Sequence, residues 1–320
     1  MIPGIKPVNT ARVSIILTTH NRAKLLIETI NSLLTQSFKD FELIIVDDAS
    51  KDQTPKVINE FLEKEKRAQS LRSEKNIGPG AARNLGISQS VGEYIAIMDD
   101  DDLAHPDRIE IMVSTMYLLV FPRIFFSSVT WLDDYMQETN IFPGIVKNGK
   151  FPEKPSDAFK LLYLESNKIP NTTIMTRRHI WDTFAYPEDP WIGEDWYLCM
   201  QLAASGIKMK SLSQPLVKQR RGQNRQGLLA DSKKETFISQ RRILKMIKEW
   251  LHGNNIHDFD HLHKLAWSNQ IIRESRHFIG LKGFKMISQA FAIAPNNPKI
   301  VEQLDWYWMK IKTRFMKSRQ

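Results

Sequence analysis

Ordered patterning begins with a short β-branched apolar run, VSIIL at 13–17, which stops abruptly at the polar stretch TTHNR, 18–22. Residues 23–36 carry Leu25, Leu26, Ile30, Leu33 and Leu34 at helical spacing, so a strand, a loop and a helix are predicted in that order. The unit repeats, because FELIIV at 41–46 is stopped by DDAS, 47–50, and followed by a helical stretch over 55–66. A Gly/Pro loop, NIGPG at 76–80, leads to a helix over 81–89 and to a third apolar run, YIAIM at 94–98. The pattern then predicts a helix over 106–120, a strand over 123–131, an irregular stretch to about 156 and another apolar run at 172–176. Strands alternating with helices predict an α/β fold with a mostly parallel central sheet flanked by helices. Ligands of such sheets bind beyond the carboxyl ends of the strands, which marks 18–22, 47–50 and 99–102 as the edge to watch.

From about residue 231 the pattern is helical only. SKKE at 232–235 reads as a capping box opening a helix that Gly253 ends, and Asn297 and Pro298 as cap and first-turn proline of a last helix reaching about Lys317. The predicted division is therefore a body, 1–230, and a helical extension, 231–320.

Composition sharpens that division. With 320 residues, 42% hydrophobic and 25% charged, the chain is globular and long enough for two domains, which excludes disorder and fibre. Its net charge of +9 is not spread evenly: residues 231–320 hold 17 Lys and Arg against 8 Asp and Glu, so the body is neutral and the extension basic. One cysteine, Cys199, excludes an intramolecular disulfide and a Cys-rich zinc site, and fits a reducing cytoplasm. The opening residues MIPGIKPVNTAR lack the apolar core of a secretory leader, which also predicts a cytoplasmic protein. The longest apolar stretch, 111–129, is cut by Pro122 and Arg123 and predicts a helix ending before a strand rather than a membrane span.

The candidate chemistry lies at Asp99, Asp100, Asp101 and Asp102, four carboxylates directly after an apolar strand. Their repulsion is most simply relieved by a divalent cation. On an extended strand end Asp99 and Asp101 face one side and would offer hard oxygen ligands to Mg²⁺ or Mn²⁺. The alternative is an acidic loop favoured by the N-terminus of the following helix. An EF-hand fails on spacing, since Leu103 and Ala104 stand where a ligand and the invariant glycine belong.

VSIILTTHNR, FELIIVDDASKDQT, NIGPGAARNLGI, GEYIAIMDDDDLAHPDRI and WIGEDWYLCMQLAASG, in this order across 13–206, resemble the successive motifs of family 2 glycosyltransferases with the GT-A fold. The resemblance covers the body and leaves the basic extension outside. It implies a nucleotide-binding half at about 10–105 and an acceptor half at about 106–230. Thr18, Arg22 and Asp48 match positions that hold the nucleotide, typically a uracil base and its ribose; Arg83 matches a basic residue beside it. Asp99 and Asp101 match the metal-binding DxD element, and Asp100 a ribose or sugar contact. Asp195 matches the catalytic base of inverting members, with the neighbouring Glu194 as its rival or an acceptor contact.

Each assignment has a physical warrant and a plainer competitor. An Asp at a strand end can accept the imide N–H of uracil, while the plainer role for Asp48 is capping a loop. Arg83 can offer a guanidinium fork to phosphate or simply lie on a helix face. Trp191 and Trp196 could stack on a sugar ring or fill the core. Asn171, Thr172 and Thr173 are further pocket candidates. The stretch KQRRGQNR, 218–225, carries no histidine where many relatives place a metal ligand, so Arg220, Arg221 or Arg225 are candidates to meet the diphosphate instead.

The resemblance implies transfer of a sugar from a nucleotide donor, UDP-linked above all, to an acceptor hydroxyl, with Mn²⁺ or Mg²⁺ as cofactor. A nucleotidyltransferase and a noncatalytic nucleotide-sugar-binding scaffold are the competing readings. The final helix sets Ile300, Leu304, Trp308, Ile311 and Phe315 beside Lys310, Lys312, Arg314, Lys317 and Arg319, which suits an anionic membrane surface or docking on the rest of the chain. A glycan or lipid-linked acceptor and a peripheral place on the cytoplasmic membrane face follow from the resemblance. No nucleic-acid motif accompanies the charge.

Overall fold

The structure is a computed structural model that describes residues 12–118, 124–133, 136–142, 151–189, 192–220, 233–257, 259–278 and 281–317. The chain divides into two compact units, one of Met1–Ala158 with Asn167–Gly227, the other of Phe159–Ser166 with Leu228–Gln320.

The first unit runs β1 (Val13–Thr19), α1 (Ala23–Leu34), β2 (Phe41–Asp47), α2 (Thr54–Leu62), β3 (Ala68–Arg72), α3 (Pro79–Gln89), β4 (Tyr94–Asp99), β5 (Asp102–Ala104), α4 (Arg108–Leu118), β6 (Ile124–Leu132) and β7 (Glu138–Phe142). It continues with α5 (Pro155–Glu165), which crosses into the second unit, then β8 (Met175–Arg177), α6 (Glu194–Ala204) and β9 (Met209–Arg220). Among the described residues these strands form one sheet in the order β3-β2-β1-β4-β8-β6-β9-β5, with β7 added beside β6. From β3 to β4 the sheet is parallel, as expected of repeated strand-helix units. Beyond β4 it is mixed, because β8 runs antiparallel to both neighbours while β6 and β9 are parallel.

Every residue of β1 is buried, which explains its continuous apolar run between two neighbouring strands. On α1 the stripe Leu26, Ile30 and Leu33 packs onto the sheet, each side chain worth roughly 1.5–3 kcal/mol of burial, while Ile27 is exposed. Gly86 brings α3 close to the sheet, since a Cβ there would lie 2.7 Å from Ile16 Cγ2 and 3.0 Å from Val46 Cγ2.

Several elements escaped the pattern. β3 is a largely exposed edge strand, AQSLR, with no apolar alternation to announce it. β7 lies in the stretch expected to be irregular, and α5 opens at its end, where no element was expected. The end of α5, expected in the acceptor half, belongs to the second unit because its aromatic face packs there: the Phe159 and Phe259 rings are 4.3 Å apart, and Tyr163 Oη lies 2.6 Å from His263 Nδ1.

The second unit holds α7 (Lys233–Gly253), α8 (Asp260–Ser275), α9 (Leu281–Ile293) and α10 (Pro298–Lys317). Asn297 caps α10 as read from the sequence, its Oδ1 accepting the Lys299 N–H at 3.0 Å. Of the aromatic and aliphatic stripe on α10, Ile300 and Leu304 pack against α8 and α9, and Tyr307 is buried with its hydroxyl donating to the Phe278 carbonyl at 2.6 Å. The start of the stripe is therefore core. Nothing is described for the side chains of Trp308, Ile311 and Phe315. Among the described residues no helix is long and apolar enough to cross a membrane.

Candidate active site

The register pairs Thr18 with Val46 and with Asp99, and Thr19 with Asp47, so β1, β2 and β4 end level at one edge of the sheet. The loops that follow are laced together. His20 Nδ1 hydrogen-bonds the Asp48 carbonyl, Asn21 N–H donates to Ser50 Oγ at 2.8 Å, and Lys51 N–H donates to Asn21 Oδ1 at 2.6 Å. Asn21 adopts φ 53°, a left-handed conformation that asparagine tolerates better than most residues. Thr18 sits at this edge, 9% exposed.

Asp48 is buried, and its carboxylate accepts from Ser73 Oγ at 2.8 Å, Ile77 N–H at 2.8 Å and Gly78 N–H at 2.9 Å. These bonds anchor the 73–78 loop ahead of α3, the capping role raised from the sequence. Around it, Asn76 Nδ2 and Asn21 Nδ2 both approach His20 Nε2, at 3.2 and 2.8 Å.

β4 ends at Asp99, and Asp100 and Asp101 form a turn before β5. Strand alternation therefore does not bring Asp99 and Asp101 to one side. The turn is pinned from behind by Thr29 Oγ1, which contacts the carbonyls of Asp100 (2.9 Å) and Asp102 (2.8 Å). Arg22, expected on the nucleotide, instead reaches into this turn: Nη1 lies 2.7 Å from Asp101 and 3.4 Å from Asp100. Burial opposes its charge, but Asp100 and Asp101 hold its pKa above the ordinary value. Burial first, and Asp101 and Asp99 after it, push Asp100 up to about 7 against the pull of Arg22. Arg220 donates to the Asp101 carbonyl and pairs with Glu28, so a guanidinium does stand at the acidic turn. Arg221 and Arg225 lie outside the described residues.

Arg83 joins the two acidic motifs. Nη2 pairs with Asp99 at 2.9 Å and Nη1 with Glu194 at 2.6 Å, across 111 residues of sequence. With its amide oxygen facing Arg83, Asn171 accepts from Nε at 3.0 Å and Nη2 at 3.1 Å and donates to Tyr186 Oη at 2.8 Å. The guanidinium lies 5.2 Å from the centre of the Tyr186 ring. At 5% exposure, with protein partners on all three nitrogens, Arg83 fixes the distance between acidic turn and α6. Burial opposes its charge, and Asp99 and Glu194 raise its pKa above the usual value.

Gly193, at φ 88°, starts α6, so Glu194 and Asp195 occupy its first turn, where the helix dipole favours negative charge. Asp195 Oδ1 accepts the Trp196 N–H at 2.7 Å and Oδ2 accepts from Asn167 Nδ2 at 2.8 Å. Burial, then the Glu194 charge, push its pKa up to about 7. Glu194, raised as the rival base, is buried and paired with Arg83. Trp196, 2% exposed, is a core side chain with no ring face for a sugar, because the α6 face that carries it is buried. Trp191 lies outside the described residues.

The geometry adds residues that the sequence reading missed. Asn167 orients Asp195, Tyr186 supports Arg83, and the wholly buried Arg108 donates to the Ile97 carbonyl at 2.8 Å behind β4. Asn167 and Tyr186 stand in no quoted motif, and only the fold brings them near; Arg108 stands within the GEYIAIMDDDDLAHPDRI motif without having been singled out. Thr172, raised as a pocket residue, instead accepts the Asp99 N–H at 3.3 Å from beneath, in a buried 3-10 turn, Asn171–Thr173.

Among the described residues no three His, Cys, Asp or Glu side chains form a ready-made metal cage. The acidic turn nevertheless suits a hard divalent ion. Its donors are carboxylate oxygens, their repulsion is left partly unrelieved by Arg22, and Asp99, paired through one oxygen, keeps a side chain 26% exposed.

Residues 14–182 match the family described as Glycosyl transferase family 2. The chain belongs to this family. An uncharacterized glycosyltransferase of Rickettsia conorii is 31% identical over 198 residues, 61% of this chain but 31% of its own length, so the chain spans about a third of that relative. The Escherichia coli UDP-Glc:alpha-D-GlcNAc-diphosphoundecaprenol beta-1,3-glucosyltransferase WfaP is 26% identical over 62% of this chain and 73% of its own. Among solved structures, S. aureus TarS 1–349 in complex with UDP-GlcNAc aligns with TM-score 0.60 and 20% identity, covering 89% of this chain and 82% of that one. The Pyrobaculum calidifontis mannosyltransferase PcManGT, in complex with GDP-Man and Mn²⁺, aligns with TM-score 0.50 and 16% identity over 96% of this chain and 86% of its own. These likenesses establish the GT-A fold.

Proposed function

We propose that the chain is an inverting, metal-dependent glycosyltransferase moving a sugar from a UDP-linked donor to an acceptor hydroxyl in polysaccharide or glycoconjugate assembly. Asp195 carries this reading: a half-buried carboxylate oriented by Asn167 and the Trp196 N–H, its pKa pushed up to about 7, joined through Glu194, Arg83 and Asp99 to the acidic turn. A general base works best with a pKa near the operating pH. The acceptor O–H proton goes to Asp195, the acceptor oxygen bonds the anomeric carbon, and the bond to the nucleoside diphosphate breaks on the opposite face, its electron pair leaving with the diphosphate. Asp99 and Asp101 would hold Mn²⁺ or Mg²⁺, which when bound supplies positive charge against the departing diphosphate. Arg22 and Arg220, beside Asp101, add fixed positive charge at the same turn. Thr18 and Asp100 line the donor edge of the sheet.

UDP is favoured by the TarS complex, and a lipid-linked acceptor by the WfaP name. The basic second unit is compatible with an acceptor presented at an anionic membrane surface. The test is to incubate the chain with UDP-sugars, Mn²⁺ and a polyprenyl-diphosphate-linked sugar and to follow nucleotide release and product configuration by NMR. UDP release with inversion, lost in Asp195→Asn while UDP still binds, is expected. Pyrophosphate release would point to nucleotidyl transfer, and a retained anomeric configuration would overturn the role of Asp195.

A further inference from the structure

Part of the basic excess of the second unit lies around an open hollow of about 540 Å³ bordered by α7, α8 and the end of α9. α7 presents Lys245 and Lys248, three residues apart on one helix face, and α8 contributes Lys264. Two histidines also line the pocket, against a single carboxylate, Glu249. That carboxylate lies 3.8 Å from Lys245, one turn away on α7. Among the described residues Lys248 and Lys264 form no ion pair, so the local field is strongly positive. One wall is apolar: Trp267 and Ile293 line it, and the Trp267 ring is steadied by the hydrophobic cluster of the unit and by Arg241 at 6.0 Å. Arg241 itself is neutralised by Glu274 through two bonds of 2.7 Å. His263 is fixed by Tyr163, whose hydroxyl lies 2.6 Å from Nδ1.

From this arrangement we infer that the α7–α8 pocket is a binding site for a phosphorylated sugar. Three flexible ammonium groups on its rim can swing onto a phosphoryl group without demanding the planar geometry a carboxylate sets for arginine. An indole beside them offers a flat apolar face to the C–H side of a sugar ring. The site is separate from the acidic turn, which belongs to the first unit. Its link to the acceptor rests on the reading of the chain as a glycosyltransferase; the phosphate chemistry of the pocket does not.

The phosphoryl group has two sources, a soluble sugar phosphate or a lipid head group, and the experiment separates them. The indole N–H resonance of Trp267 in the full chain, assigned through its loss in Trp267→Phe, is followed by NMR with UDP saturating the donor edge. Glucose 1-phosphate is titrated in one arm; small phosphatidylcholine vesicles carrying a polyprenyl-phosphate-linked sugar are added in the other, against sugar-free vesicles of the same lipid. The expected result is a saturable perturbation in at least one arm, which names the source. Exposed ion pairs are individually weak, so Lys245→Gln, Lys248→Gln and Lys264→Gln together should weaken it about tenfold. The control Lys282→Gln, Lys285→Gln and Lys310→Gln removes equal charge elsewhere in the unit and should leave it unchanged. An unmoved Trp267 in both arms, or equal weakening by the two triple variants, overturns the site. Absence of glycosyl transfer with the Trp267 response intact overturns the transferase reading and leaves the pocket standing.

Discussion

Arg83→Met tests whether one buried cation holds the two acidic motifs together. The substitution keeps an unbranched side chain of similar reach but removes the charge facing Glu194 at 2.6 Å and Asp99 at 2.9 Å. Glu194 is 8% exposed, so most of the loss falls there; Asp99, a quarter exposed, is rescued in part by water. Breaking a buried pair by deleting one partner costs about 3–5 kcal/mol, because the surviving charge is left without compensation. Burial already holds the Glu194 pKa above its usual value against the pull of Arg83, so losing Arg83 raises it further. A carboxyl raised in the folded state favours the fold at low pH and costs stability as pH climbs towards the folded value. The penalty should therefore be about 3–5 kcal/mol at high pH and shrink as pH falls from the raised folded value towards the unfolded carboxyl range, by roughly 1.4 kcal/mol per pH unit while one proton is taken up. Urea unfolding followed by circular dichroism near pH 8 and near pH 5 measures both limbs. A penalty independent of pH, or one below about 1 kcal/mol at the higher pH, would refute the bridge.

Asn167→Ala removes a hydrogen bond to the ionised form of Asp195, so the acidic limb of kcat/KM, expected near pH 7, should move to higher pH; an unmoved limb would separate Asn167 from the base. Asp101→Ala should abolish the Mn²⁺-dependent part of thermal stabilisation by UDP, worth about 2.7 kcal/mol in the parent chain at a hundred times the dissociation constant, and an equal shift with chelator would argue against a metal at the turn. Gly86→Ala forces a methyl group against Ile16 and Val46 and should cost about 1–3 kcal/mol in chemical denaturation, an unchanged midpoint meaning that the α3 packing is looser than described.

The sequence by itself determined the parallel half of the sheet and the location of its reactive edge. Continuous apolar strands stopped by polar residues are a local signal, and β1, β2 and β4 end where VSIIL, FELIIV and YIAIM do, or within two residues of it. The neutral body and basic extension were likewise plain from counting charges. Tertiary structure decided what local patterning does not encode. β3 is stabilised by one neighbour rather than by an apolar code, and β8 owes its direction to the strands on either side. Partner choice is decided in the same way. Arg83 and Glu194 are 111 residues apart, and Arg22 and Asp101 are 79, so no spacing rule could tell a phosphate contact from an internal ion pair. Once burial removes water, each charge must find its counter-charge within the fold, and the folded geometry alone names which one it finds.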